Sequence, residues 1–229
     1  MPTAKAQGKR EQKVGVPMTL TDRVRYLVRG IIDPIANLLV WLGFTPNTLT
    51  LIGFLMNVAV AVILSQGRLR WGALAFLLAS AFDGLDGALA RKLGRVSRFG
   101  AFLDSTVDRL SEAAVFLGLL VWYTGRGAKQ EIVLIYATIV GSLMVSYSRA
   151  RAEGLGMDCK VGLLTRMERA IVLFVGLLLE QVTITLWVMA VLTNLTALQR
   201  MVYVWRTSEA EEGKTEESGE SERGEDEWL

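Results

Sequence analysis

Two apolar segments that carry acidic residues decide the fold: residues 70–90, RWGALAFLLASAFDGLDGALA, and residues 99–123, FGAFLDSTVDRLSEAAVFLGLLVWY. Each has the length of a membrane span, which needs roughly 17–25 mostly apolar residues. A charged side chain at the centre of a span costs about 2.5–3.5 kcal/mol on insertion scales. Four aspartates in two consecutive spans therefore indicate a functional site inside a membrane protein.

Four further apolar segments flank this pair. Counted along the chain, the first, fourth and sixth of the six apolar segments lack charged residues in their central parts, and the fifth is short. The chain is 52% hydrophobic and 21% charged, with a mean hydropathy of +0.36, and its apolar residues form long blocks, which argues against a soluble globular domain. We expect an all-α integral membrane protein with six transmembrane helices, covering residues 47–65, 70–90, 99–123, 131–148, 163–179 and 182–205.

The regions outside the spans differ in charge. Residues 1–20 form a polar, basic arm that lacks the apolar stretch of a secretory signal. Residues 21–42 mix arginines with aliphatic residues, which predicts an amphipathic helix at the membrane surface. The membrane domain covers residues 21–206, and residues 207–229 have the acidic composition of a disordered tail.

Basic residues in the loops predict the orientation. Residues 1–46 and the second and fourth loops, counted with the adjoining span ends, carry 16 Lys and Arg residues, whereas the loops on the other side, counted in the same way, carry four. By the positive-inside rule both termini lie in the cytoplasm. The protein is thus predicted to be a multi-pass protein of the cell membrane, with the acidic site near the cytoplasmic side.

The missing residue types exclude several kinds of chemistry. The chain has no histidine and a single cysteine, Cys159. A Ser-His-Asp triad, a His-ligated zinc and an internal disulfide are therefore excluded. Acid–base chemistry must use Asp, Glu, Lys, Tyr or Cys.

The four aspartates are spaced to act together. Asp83 and Asp86 are three residues apart and Asp104 and Asp108 are four apart, so each pair shares one helix face. A short loop joins the two helices, which places both pairs at one depth. A divalent cation relieves the repulsion between such carboxylates. Oxygen ligands favour Mg²⁺ or Mn²⁺, and four carboxylates are enough for two bridged ions.

The same residues form a recognisable motif. Asp83, Asp86-Gly87, Ala90-Arg91, Gly100, Asp104 and Asp108 match D-x2-D-G-x2-A-R-x8-G-x3-D-x3-D at every fixed position. This resembles the signature of the CDP-alcohol phosphatidyltransferase family. The resemblance covers the six-helix body, residues 21–205.

The resemblance implies a reaction and its metal site. Family members move a phosphatidyl group from a CDP-linked lipid to an alcohol and release CMP. One metal ion would be held by Asp83, Asp86 and Asp104, and the other by Asp83, Asp104 and Asp108. Asp108 is the candidate general base, because an alcohol is a poor nucleophile at neutral pH and needs one.

The resemblance also implies a set of contacts to the CDP-linked lipid. Segment 45–50, TPNTLT, resembles a family element beside the nucleotide site. Capping of a helix N-terminus by Thr45 or Asn47 is an equally good interpretation of this segment. The expected contacts are Asn47, Thr50, Gly87, Arg91 and Ser97.

A second basic cluster bears on the acceptor alcohol. Segments 147–154 and 166–169 resemble those of prokaryotic phosphatidylinositol-phosphate and archaetidylinositol-phosphate synthases, which implies inositol 1-phosphate as acceptor. Arg149, Arg166 and Arg169 are the candidate ligands of its phosphate. Glycerol 3-phosphate would need a similar cluster, and the positive-inside rule alone also places arginines here.

Other function classes fit less well. Intramembrane acidic residues also mark the pathways of cation-coupled transporters, but these four are confined to the loop-proximal halves of two consecutive helices. The resemblance further implies a homodimer. A lipid bilayer, a CDP-linked lipid and a phosphorylated polar alcohol are the expected partners, and no nucleic acid is expected. The residues leave open whether the lipid is diacyl or diether.

Overall fold

A computed structural model describes residues 34, 38–93 and 97–226 of the chain, with the backbone alone at residues 84, 86–88, 91–93 and 211–226. In this part the protein is helical and has no strand, which confirms the predicted all-α class. The helices are α1 (Pro46–Ser65), α2 (Leu69–Leu93), α3 (Arg98–Gly125), α4 (Lys129–Gly154), α5 (Arg166–Leu178) and α6 (Val182–Asp226). The predicted surface helix over residues 21–42 and the basic arm lie almost wholly outside the described residues.

The helices pack around a main apolar core to which all six contribute. Helix α1 packs against α2 and α3, α4 packs against α6, and α5 contacts α2 and α6. Short turns join α1 to α2 and α5 to α6, so consecutive helices run antiparallel. The core is built from aliphatic and aromatic side chains that include Leu64, Ala73, Phe116, Ile135, Leu177 and Leu186.

Small residues let the helices approach closely. A Cβ atom added to Gly118 of α3 would lie 2.8 Å from the carbonyl carbon of Ala61 in α1. Gly141 of α4 faces Thr193 of α6, and Gly176 of α5 faces Thr185 of α6, in the same manner. Glycines at such crossings are typical of membrane helix bundles, where close van der Waals packing holds helices together.

The outer surface is apolar, as a bilayer requires. Leu55, Tyr136 and Ile184 are each more than half exposed, and exposed apolar surface on this scale marks contact with lipid. Within the described residues, three helical stretches are long and apolar enough to cross a membrane by length and composition: Pro46–Ser65, Lys129–Gly154 and Val182–Ala210. The count of six spans remains a prediction, because α2 and α3 carry charges and α5 has 13 residues.

Two boundaries differ from the prediction. Helix α4 continues to Gly154, so Arg149 and Arg151 lie on its last turns and not in a loop. Helix α6 extends to Asp226, past the predicted span end at residue 205, and the disordered tail over residues 207–229 stays a prediction. Glu, Lys and Arg are good helix formers, and the chain has no proline after Pro46 to stop the helix.

The packing at Gly118 predicts a strong dependence of stability on residue size. Gly118→Ala should destabilise the bundle by about 1–3 kcal/mol, because the new methyl group overlaps the α1 backbone and helix backbones cannot shift as a flexible side chain can. The measurement is the thermal unfolding temperature in detergent. Gly125→Ala is the matched control, because a Cβ atom there meets nothing within 4 Å. Equal unfolding temperatures for the two variants would contradict the close α1–α3 packing.

Candidate active site

An ion-pair cluster joins three helices at the end of the bundle where α2 ends and α3 and α5 begin. One guanidinium nitrogen, Nη2 of Arg166 in α5, lies 3.2 Å from Oδ2 of Asp83 in α2 and 2.6 Å from Oδ1 of Asp108 in α3. The two aspartates therefore aim at one point, as the sequence predicts. Arg166 was expected on a different ligand, the acceptor phosphate, and in this structure it lies on the acidic residues.

The remaining two predicted acidic residues stand differently. Asp104 is one turn before Asp108 on the same face of α3. The side chain of Asp86 lies outside the described side chains, as do those of Gly87 and Arg91. Among the described side chains, no three carboxylates or thiols lie close enough together to hold a metal ion.

A second ion pair is more deeply placed. Nε and Nη2 of Arg169 donate to the two carboxylate oxygens of Glu112 at 2.8 and 2.9 Å. The Arg169 side chain is 3% exposed. A bidentate pair of this kind fixes the guanidinium plane. Sequence analysis missed the role of Glu112, although it stands four residues after Asp108 and so extends the acidic face of α3 by one turn.

The arginines line a small cavity beside Asp108. Its volume is about 90 Å³ and it brings together residues from α3, α4, α5 and α6. All three predicted acceptor-site arginines take part. The lining residues are Asp108, Arg109, Glu112, Val145, Ser146, Arg149, Thr165, Arg166, Arg169 and Arg200.

Arg200 was not among the predicted site residues, because the sixth predicted span is apolar apart from this one charge. It is 3% exposed, and its Nε donates to the Val161 carbonyl oxygen at 2.8 Å. Its Nη1 donates to the Val145 carbonyl oxygen. Arg200 thereby fastens the α4–α5 loop over the cavity, together with the Thr196 hydroxyl, which accepts from the Leu164 amide at 3.2 Å. A charged residue inside an apolar span was the available signal.

A larger cavity of about 340 Å³ adjoins the small one. The two share the Arg166–Asp108 and Arg169–Glu112 pairs. The rest of the larger cavity is mostly apolar, lined by side chains such as Phe76, Val115, Leu173 and Met189. A polar end joined to an apolar pocket suits an amphipathic ligand.

Two of the predicted nucleotide contacts, Asn47 and Ser97, lie close together where α1 and α3 begin. Ser97 caps α3, its hydroxyl accepting from the Gly100 amide at 2.9 Å. A Cβ atom on Gly100 would lie 3.4 Å from Oδ1 of Asn47, so this motif glycine leaves room for both side chains. Thr45 caps α1 by accepting from the Thr48 amide at 3.2 Å. Of the two capping candidates the structure uses Thr45, so Asn47 is not engaged as the cap.

Close helix packing also positions Asp83. A Cβ atom on Gly53 of α1 would lie 2.5 Å from Oδ1 of Asp83. One turn away on the same helix, the Thr50 hydroxyl donates to the Pro46 carbonyl oxygen at 3.1 Å. The buried face of α1 runs through Thr50, Gly53 and Asn57. Gly53 was not among the predicted site residues. The sequence signal for it is the spacing of Thr50, Gly53 and Asn57, three small or polar residues on one face of an apolar helix.

The acidic residues fit a bound cation. Asp83 and Asp108 each place one carboxylate oxygen next to the same guanidinium nitrogen. The two carboxylates are therefore close enough together to contact one positively charged group. Hard oxygen donors of this kind suit Mg²⁺ or Mn²⁺. The predicted donor set is therefore chemically consistent with the geometry of the described members.

Comparisons with known proteins agree with this geometry. The family described as CDP-alcohol phosphatidyltransferase matches residues 43–205. The chain is 40% identical to phosphatidylinositol phosphate synthase of Mycobacteroides abscessus over 187 residues, covering 78% of this chain and 84% of the relative. It is 39% identical to archaetidylinositol phosphate synthase of Pyrococcus horikoshii over 185 residues, covering 80% of this chain and 95% of the relative.

Solved structures resemble the fold as well. The crystal structure of Mycobacterium tuberculosis phosphatidylinositol phosphate synthase with CDP-DAG bound superposes with a TM-score of 0.73 at 35% identity, covering 76% of this chain and 94% of that one. A structure of the same enzyme in complex with manganese and citrate gives a TM-score of 0.71, also at 35% identity, covering 76% and 88% of the two chains. The family match, the curated relatives and the shared fold together show that this chain is a membrane enzyme that belongs to the CDP-alcohol phosphatidyltransferase family.

Proposed function

We propose that the protein transfers a phosphatidyl or archaetidyl group from a CDP-linked lipid to inositol 1-phosphate and releases CMP. The observation that carries this proposal is the arginine-lined cavity that opens directly onto Asp108. Several arginines around one cavity suit an anionic acceptor, and an acceptor without a phosphate would leave these guanidinium groups without an anionic ligand. The names of the relatives support the same acceptor.

The arginines that line the cavity differ in how easily each can exchange its present partner for a phosphate. Arg149 is about half exposed and paired with Glu153 at 2.8 Å, an exposed pair that is worth little and is easily exchanged. Arg169 is held by Glu112, so its guanidinium lines the cavity in a fixed position. Arginine suits this role because its planar fork can bind two phosphate oxygens at once. A phosphate bound here leaves a ring hydroxyl of the acceptor within reach of Asp108.

Asp108 is the proposed general base. The acceptor hydroxyl oxygen attacks the lipid-linked phosphorus of the diphosphate, and its proton passes to the Asp108 carboxylate. The bond from that phosphorus to the bridging oxygen breaks, so CMP leaves with the bond electrons. The products are the lipid phosphoinositol phosphate and CMP.

Asp83, Asp86, Asp104 and Asp108 are the proposed ligands of two Mg²⁺ or Mn²⁺ ions. When bound, the ions supply neutralisation of the diphosphate and of the charge that develops on it. The manganese-containing structure of the mycobacterial relative supports a divalent metal. For this chain the pairing of Asp83 and Asp108 with one cationic group is the supporting observation.

The donor lipid is proposed to enter from the other side of the cluster. Asn47, Thr50, Gly87, Arg91 and Ser97 are the proposed nucleotide contacts, at the α1 and α3 N-termini and the end of α2. The apolar cavity of about 340 Å³ takes the part of the lipid next to the diphosphate. The CDP-DAG-bound relative supports a donor of this class. A homodimer with both termini in the cytoplasm completes the proposal.

The acceptor is tested by an acceptor panel. Purified protein in detergent with a CDP-linked lipid and Mg²⁺ is given inositol 1-phosphate, glycerol 3-phosphate, free inositol or serine. CMP release, with the lipid product identified by mass spectrometry, should be fastest with inositol 1-phosphate. Glycerol 3-phosphate is the second candidate, since the arginines recognise the phosphate that both acceptors carry. A preference for free inositol or serine would overturn the proposal.

Metal removal should abolish the activity. Excess EDTA should stop CMP release, and Mg²⁺ or Mn²⁺ should restore it, because the carboxylates alone repel the diphosphate. Asp108→Asn should lose turnover by a factor of at least about 10² at every metal concentration, the lower range of a general base. Asp158→Asn is the control, because this aspartate pairs with exposed Lys160. Full turnover in EDTA, or in Asp108→Asn, would refute the assignment.

Arg149 offers a sharp test of the acceptor pocket. Arg149→Ala should raise the KM for inositol 1-phosphate about tenfold or more, since a hydrogen bond to a charged group is worth about 1.5–3 kcal/mol. The KM for the CDP-linked lipid should change little. Arg151→Ala is the matched control, because Arg151 lies on the same helix turns and is exposed outside the cavity lining. Equal effects of the two substitutions would show that these arginines reflect only the positive-inside rule and do not bind the acceptor phosphate.

A further inference from the structure

Arg166 differs from its neighbouring arginines in what it contacts. Its Nη2 lies within 3.2 Å of Asp83 and 2.6 Å of Asp108, two of the proposed metal ligands. It also lines the small cavity proposed for the acceptor phosphate. One guanidinium thus stands at the border between the two proposed binding sites.

A guanidinium and a divalent cation cannot share these oxygens in this arrangement. Oxygen ligands of Mg²⁺ lie at about 2.0–2.1 Å from the ion. An ion bound by Asp83 Oδ2 and Asp108 Oδ1 would take the position next to Nη2, with like charges in contact. Binding of the divalent cation to these oxygens therefore displaces the Arg166 guanidinium, and the guanidinium in place opposes binding of the cation.

Arg166 has the freedom to leave, and its neighbour does not. The Arg166 side chain is 52% exposed, whereas that of Arg169 is 3% exposed. Arg169 is held by two hydrogen bonds to Glu112. Arg166 begins α5, and its long side chain can turn from the carboxylates into the adjoining cavity without any shift of the helix.

We propose that Arg166 is a shared counter-ion that couples the two sites. It binds Asp83 and Asp108 in competition with the divalent cation, and once displaced it becomes a ligand of the acceptor phosphate. The proposal rests on the proposed metal and acceptor sites and adds that their occupancies are linked. By thermodynamic linkage the effect is reciprocal: acceptor binding, by drawing Arg166 away, tightens metal binding by the same factor.

The test is the Mn²⁺ dissociation constant, measured by isothermal titration calorimetry on the full-length protein in detergent. Each protein is titrated with and without saturating inositol 1-phosphate, in the absence of CDP-linked lipid so that no turnover occurs. Arg166→Gln should bind Mn²⁺ more tightly than the wild type without inositol 1-phosphate, on the order of fivefold or more. Inositol 1-phosphate should tighten Mn²⁺ binding to the wild type and leave it unchanged in Arg166→Gln.

Two variants separate competition from a general effect of charge. Arg149→Gln removes the same charge from the same cavity without touching Asp83 or Asp108, so its Mn²⁺ affinity without inositol 1-phosphate should equal that of the wild type. Arg166→Lys keeps a competing charge and should lie between the wild type and Arg166→Gln. Equal tightening in Arg149→Gln and Arg166→Gln would overturn the proposal, as would wild-type Mn²⁺ affinity in Arg166→Gln.

Failure of the underlying metal site gives a different result. If the wild type binds no Mn²⁺, or if Asp83→Asn binds it as well as the wild type, the proposed metal site itself is wrong. If Mn²⁺ binds and Asp83→Asn weakens it while Arg166→Gln has no effect, the metal site stands and the counter-ion coupling alone is refuted.

Discussion

Charge balance inside an apolar helix bundle is the constraint on which the rest of the structure depends. Asp83, Asp108 and Glu112 could not remain in α2 and α3 without positive partners, since buried charges are costly unless paired. Arg166 and Arg169 supply them from the first turn of α5. The buried Arg169–Glu112 pair holds the start of this short helix against α3.

The same balance accounts for the division of the site into two parts. The acidic side gathers around a cation and suits a metal-bound diphosphate. The basic side suits a phosphate, and it is kept in place by Glu112 and by Arg200, which holds the covering loop through the Val161 carbonyl oxygen. A transporter would need polar groups through the depth of the membrane. Here the described acidic residues that follow Asp83 in α2 and α3, namely Asp104, Asp108 and Glu112, lie with it toward one end of the bundle, beside an apolar cavity.

Sequence reasoning reached the all-α class and the shared helix face of Asp104 and Asp108 because both depend on local spacing. Aspartates three or four residues apart share a helix face in any helix, and apolar length predicts a span without reference to the rest of the fold. The pairing of Arg169 with Glu112 joins residues 57 positions apart, which no local pattern reveals. For the same reason the fastening role of Arg200 and the contact of Gly53 with Asp83 required the packed structure.

The central claim is that Asp83, Asp86, Asp104 and Asp108 form a site for two divalent cations and that Arg166 competes for it. The most direct measurement is the anomalous scattering of Mn²⁺ in crystals of the protein. We expect two anomalous peaks among these aspartates, one of them between Asp83 and Asp108 at about 2–2.5 Å from their oxygens, with the Arg166 guanidinium moved into the adjoining arginine-lined cavity. The absence of any peak among the four aspartates, or an ion bound between Asp83 and Asp108 with Arg166 still in contact with Asp108, would contradict this claim.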